Sequence, residues 1–196
     1  MKFKKALLII DVQNDFCPAG ALAVPEGDKI IPNLNKYIKI FSQKKLAIFA
    51  SRDWHLKKTI HFKKFGGVWP VHCVQNTKGA QFHPKLKLPK GTIILSKGMD
   101  PEKDSYSAFQ AQDANNIDFL ILLKYLGVQQ LYIGGLATDY CVKFSAVDAL
   151  KNAFKVKLLM DAIKGVNLKP NDSEGAIKEM VKKGAKKISL KDMEER

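Results

Sequence analysis

The sequence predicts an α/β fold: a three-layer α/β/α domain built around a doubly wound, mostly parallel sheet. Short, nearly continuous apolar runs recur along the chain, as expected of strands covered on both faces. They alternate with stretches whose apolar residues recur at helical spacing, which is the pattern of βα units. With 196 residues, 46% of them apolar, and neither an internal repeat nor a low-complexity linker, the chain suits one domain over 1–196.

The first strand is 5–11, "KALLIID". Its basic approach, "MKFKK", imitates a secretory leader, but the apolar run Ala6 to Ile10 stops at Asp11, short of the roughly 7–15 residues that a leader core requires. Over 28–44, Ile30, Leu34, Tyr37, Ile38 and Phe41 share one helical face, with Pro32 in the first turn, where its missing N–H costs little. The second strand is 46–51, "LAIFAS". Residues 52–91 are rich in Lys, Gly, Pro and His and lack periodicity; so long an irregular stretch in a compact domain marks a functional insertion. Strands at 92–97, 129–134 and 155–161, and a weaker one at 186–190, then alternate with helices at 115–126, 139–153 and 172–184.

The net charge of +14 suggests a polyanion partner. The basic residues are nearly all lysines spread along the chain, with arginine only at Arg52 and Arg196, whereas nucleic-acid readout favours the bidentate guanidinium. A solvated basic surface is therefore expected, and nucleic acid is not the expected partner. Three irregularly spaced cysteines argue against a disulfide framework and for the reducing cytoplasm. No apolar run approaches the roughly 18 residues of a membrane span.

In open α/β sheets, ligands bind beyond the carboxyl ends of the strands. Those ends carry Asp11, Asp53 with His55, Lys97, and the Gly134–Gly135 turn leading to Cys141. Asp53, His55, His61 and His72 lie within 20 residues of one another, a donor set suited to a divalent transition metal. Three unrelated histidines would give the same spacing, and spacing alone does not choose. Cys73, facing away from His72 in extended chain, reads as packing, and His83 as structural. Thr138 or Asp139 is placed to cap the helix over 139–153, with Cys141 in its first turn. Outward N–H groups there would lower a thiol pKa and could hold a developing oxyanion. The same position equally suits a buried apolar cysteine.

The blocks "LIIDVQNDFCPAGALAV", "SRDWH", "WPVHCVQNTKGAQFHP", "SKG", "YSAF" and "GGLATDYCV", all within residues 7–142, resemble the nicotinamidases among the isochorismatase-like cysteine hydrolases. The resemblance implies a catalytic triad of Asp11, Lys97 and Cys141. Its metal ligands fall on Asp53, His55 and His72, with His61 matching an additional ligand of some members, and the ion would be Zn, with Fe or Mn also suited. Oxyanion donors fall on the backbone N–H groups of Ala137 and Cys141, with a cis peptide between Leu136 and Ala137. Pocket walls fall on Phe16, Leu22, Trp69 and Tyr106.

The implied reaction is hydrolysis of nicotinamide to nicotinate and ammonia through a Cys141 thioester, in NAD salvage, with pyrazinamide as a further substrate. The partner is then a small molecule rather than a membrane or nucleic acid, and self-association is left open. Other members of the superfamily, isochorismatases and ureido or carbamoyl amidases, are the nearest alternative, and a basic nucleic-acid- or anion-binding protein without catalysis the remote one. One step is physically awkward: a carboxylate beside Lys97 is expected to have a lowered pKa, and so to be a feeble base for a thiol.

Overall fold

A computed structural model describes residues 2–194 of the chain; Met1, Glu195 and Arg196, at the ends of the expected domain, lie outside the described residues. Six strands form one sheet in the order β3-β2-β1-β4-β5-β6. They are β1 (Lys5–Ile10), β2 (Ala47–Asp53), β3 (Ile93–Lys97), β4 (Gln130–Leu136), β5 (Lys155–Lys164) and β6 (Lys186–Ile188). Every neighbouring pair is parallel, so the expected mostly parallel sheet is wholly parallel. The strand order reverses between β1 and β4, which opens a crevice at their carboxyl ends.

Period-two alternation assigns the faces. Ala6, Leu8 and Ile10 of β1 enter one apolar cluster, while Leu7 and Ile9 enter the other. Helix α1 (Ile31–Gln43) covers the second face through Leu34, Tyr37, Ile38 and Phe41, with Pro32 in its first turn. Helices α2 (Phe119–Tyr125), α3 (Lys143–Lys151) and α4 (Asp172–Lys182) cover the first through Phe119, Leu123, Ala146 and Met180. A short α5 (Lys191–Glu194) is the last described element. Burying each large apolar side chain contributes about 1.5–3 kcal/mol, which makes the sheet a stiff base for its carboxyl edge.

Two expected helices change. The one at 115–126 contracts to α2 because Asp113 folds the preceding residues into a loop, its Oδ1 accepting from Asn115 N at 2.8 Å and Ile117 N at 2.9 Å. The one at 139–153 opens instead with a wide π turn, Thr138–Val142, before α3 begins. No side chain caps that turn, contrary to the role expected of Thr138 or Asp139. The Asp139 carboxylate is drawn to the end of β5, where it accepts from Val166 N at 3.0 Å and Asn167 N at 2.7 Å. As expected, 52–91 is irregular beyond β2, with a short 3-10 turn at Lys63–Phe65 and isolated bridges such as His55 to Val74.

Candidate active site

The three ionisable groups that the strands deliver to the crevice meet around Lys97. Its Nζ lies 3.0 Å from Asp11 Oδ2 and 3.5 Å from Cys141 Sγ, and it is also paired with Asp53 Oδ1. All four side chains are buried. Asp11 takes a left-handed backbone, φ 48°, at the point where β1 ends. Ser51 Oγ donates to its Oδ1 at 2.7 Å, while Oδ2 faces the Lys97 ammonium. Gly135 permits this convergence: φ is +127°, and a Cβ there would lie 2.1 Å from the Ile10 carbonyl oxygen.

Cys141 sits inside the π turn, where Tyr140 N and Val142 N both donate to the Ala137 carbonyl at 3.1 Å. The backbone from Ala137 to Val142 therefore closes on the Ala137 carbonyl, and the Leu136–Ala137 peptide is cis. Burial pushes the thiol well above its ordinary pKa, and Asp11 and Asp53 add to that, against a downward pull from Lys97. The lowered pKa expected from a helix start is thus reversed by desolvation, which disfavours a thiolate. Burial likewise raises the Asp11 carboxyl, with Lys97 pulling down and Asp53 pushing up. Asp53 is also desolvated, but Lys97, His55 and His72 outweigh that and hold it well below the usual carboxylate range. Burial opposes the Lys97 ammonium, yet Asp11 and Asp53 together raise its pKa well above the ordinary value.

One side of this cluster carries the histidines. Donor atoms of His55, His61 and His72 lie within 4.8 Å of one another, and Asp53 Oδ2 is 3.6 Å from both His55 Nε2 and His72 Nε2. The His55 ring packs against Gly98, where a Cβ would be 2.5 Å from His55 Cε1. Both His55 nitrogens are buried without a hydrogen-bond partner, an arrangement that is costly unless a metal takes one of them. His72 Nδ1 contacts the Pro70 carbonyl at 2.8 Å; since a carbonyl only accepts, the proton is on Nδ1 and Nε2 is left as a donor to a metal. The donor set fits a divalent metal.

Above both groups lies a small, mostly apolar pocket that opens toward solvent. Phe16, Leu22, Trp69 and Tyr106 all line it, with Cys141, His61, His72 and Asp53 at its polar end. Trp69 Nε1 donates to Tyr106 Oη at 2.9 Å, and the Trp69 and Tyr140 rings meet edge to face at 5.0 Å.

Residues 5–192 match the isochorismatase domain family model. The chain belongs to the isochorismatase family. Among curated members, the Escherichia coli (strain K12) nicotinamidase is 41% identical over 210 residues, covering 97% of each chain. The Mycobacterium tuberculosis nicotinamidase/pyrazinamidase is 35% identical, covering 83% of this chain and 88% of its own. A pyrazinamidase of Pyrococcus horikoshii, solved in complex with zinc, superposes with a TM-score of 0.88 at 48% identity, covering 95% of this chain and 99% of that one. This isochorismatase-family sheet is thus shared with enzymes whose names specify amide hydrolysis.

The structure brings together every site residue expected from the sequence: Asp11, Lys97 and Cys141 in one cluster, Asp53, His55, His61 and His72 in the next, and Ala137 with the four pocket residues around the cavity. It adds others. Gln13 is fully buried; its Nε2 donates to Asp53 O at 2.8 Å and to Ala80 O at 2.9 Å, while its Oε1 accepts from Asp53 N at 2.7 Å. Asp15 Oδ2 accepts from Cys73 N at 2.7 Å, which pins the residue after His72. Both lie in the "DVQNDF" block, but nothing in its spacing tells that their side chains brace the segments carrying Asp53 and His72.

Proposed function

We propose that this protein is a metal-dependent cysteine amidohydrolase that converts nicotinamide to nicotinate and ammonia, in NAD salvage, and also accepts pyrazinamide. The observation that carries the reading is the contact of Cys141 Sγ with the Asp11–Lys97 pair beside the three-histidine cluster, both opening onto one small aromatic cavity. The names of the relatives support it. Asp53, His55, His72 and His61 would hold a divalent ion, which would supply Lewis acidity toward the ring nitrogen; zinc is the proposed metal, on the donor set and the zinc-bound relative.

Phe16 and Trp69 contact the ring and hold the carboxamide over Cys141. Asp11 takes the thiol proton as sulfur attacks the amide carbon, and the carbonyl oxygen, now negative, faces the N–H groups of Ala137 and Cys141. The C–N bond then breaks, with the proton passing from Asp11 to nitrogen, so that ammonia leaves and a thioester remains. Water attacks the thioester while Asp11 accepts its proton; the C–S bond breaks, and Asp11 returns that proton to sulfur. Lys97 stabilises the thiolate and holds Asp11 in place. The raised Asp11 pKa makes it a better proton acceptor than an ordinary carboxylate.

All three cysteines are free, which supports the cytoplasmic assignment; among the described residues, no helix is long and apolar enough to cross a membrane. The decisive experiment is an ammonia-release assay on nicotinamide with metal analysis of the same sample. Ammonia release with bound metal is expected. Failure to hydrolyse nicotinamide, with turnover of a ureido or carbamoyl amide instead, would overturn the reading.

A further inference from the structure

The three histidines differ in what holds their rings. His72 rests on the Pro70 carbonyl of its own loop, and His55 is wedged against Gly98 immediately beyond β2. His61 is held from a different segment altogether: its Nδ1 contacts Asp104 Oδ1, on the loop after β3. The His61 side chain is 4% exposed but that of Asp104 is 54% exposed, so a solvated carboxylate reaches in to grip a buried ring. A carboxylate only accepts here, which places the proton on Nδ1 and leaves the Nε2 lone pair free, on a ring that offers a donor atom within 4.8 Å of those of His55 and His72. The two loops are clasped at one further point, where Thr59 Oγ1 and Ile60 N both donate to the Pro101 carbonyl, at 3.1 and 2.9 Å.

We infer that Asp104 is a positioning residue that makes His61 a fourth protein ligand to a divalent metal, an inference that rests on the metal-dependent reading above. Asp53 and His55 are set by the rigid end of β2, whereas His61 depends on a partner carried by a loop. That loop also brings Tyr106 to the cavity wall, where it accepts from Trp69. One segment therefore fixes both a metal ligand and the wall that meets the substrate ring. A carboxylate on the distal nitrogen also strengthens the ring as a ligand, and loss of such partners typically weakens metal affinity about 10–100-fold.

The test measures metal affinity by chelator competition and coordination by the visible absorption of the Co(II)-substituted protein, neither of which requires turnover. Asp104→Ala is expected to weaken binding about 10–100-fold and to move the Co(II) spectrum toward that of His61→Ala. Asp104→Asn, which keeps an acceptor oxygen for Nδ1–H, should restore most of both. In a His61→Ala background the effect of Asp104→Ala should vanish. The inference fails if Asp104→Ala keeps wild-type affinity and spectrum, or if its full effect persists without His61. Wild-type protein that bound no metal at all would instead defeat the metal-dependent reading itself.

Discussion

The two ends of the same sheet are built from opposite materials. At the amino end, Lys5, Lys44, Lys186 and Lys187 border an open polar depression with their side chains in solvent. At the carboxyl end, Lys97 is buried with Asp11, Asp53 and Cys141 around it. A lysine in water is already solvated and neither costs nor organises much. A lysine stripped of water is tolerable only with compensating charges, and it then fixes the geometry of everything it touches. The chain thus carries most of its positive charge where it affects solubility, and one of its many lysines where it affects chemistry.

That contrast can be broken first at the sulfur. Cys141→Ala is expected to lower nicotinamide turnover by about 10³-fold or more with the folded structure retained, measured by ammonia release alongside thermal melting. Near-normal hydrolysis would remove the carboxyl end's claim to the chemistry. Lys97→Met leaves Asp11 and Asp53 buried without their cation and should cost about 3–5 kcal/mol of stability. Lys186→Met at the other end should stay within about 0.5 kcal/mol. Urea unfolding of the two variants measures the difference directly, and equal losses would show that burial does not distinguish the lysines.

Alkaline pH sharpens the comparison. Cys17, beside Phe16 of the cavity, has its thiol pushed from 9.0 up to about 11, chiefly by burial and then by Asp28. An acid whose folded pKa is raised contributes stability that is present below its unfolded pKa and is lost as pH rises through the folded one. The unfolding free energy should therefore fall between pH 9.0 and about 11, less steeply in Cys17→Ala, as followed by urea titration. An unchanged slope in that variant would clear Cys17 of the effect. The smallest change is expected of Trp69→Phe, which removes the donor to Tyr106. Losing one such hydrogen bond, about 1 kcal/mol, should raise KM several-fold with kcat nearly kept, and a pure loss of kcat would contradict its role as a pocket wall.

Much of this was legible in the sequence for local reasons. The strands from Lys5 to Lys164 announce themselves because a strand buried on both faces must be apolar at successive positions. Once those strands are parallel, Asp11, Asp53, Lys97 and the turn before Cys141 fall on one edge. The start of α3 was less legible. Asp139 has the composition of a cap, but its carboxylate is claimed by Val166 and Asn167, far along the chain. Gln13 and Asp104 were not seen at all, since a bridging amide and a solvated carboxylate carry no signal until their partners are known.

By itself the sequence determined the α/β fold, the ends of its strands, and which side chains could reach the crevice, because these follow from apolar periodicity and the handed geometry of βα units. How those side chains hold their protons depends on the packing around them. A carboxylate beside a lysine looks like a weak base on paper. Asp11 is instead raised, because burial removes its water while Asp53 shares the same ammonium. Cys141 beside a helix start looks like a ready thiolate, yet burial raises it against the pull of Lys97. Desolvation depends on everything packed around a group, and residues distant in sequence set it.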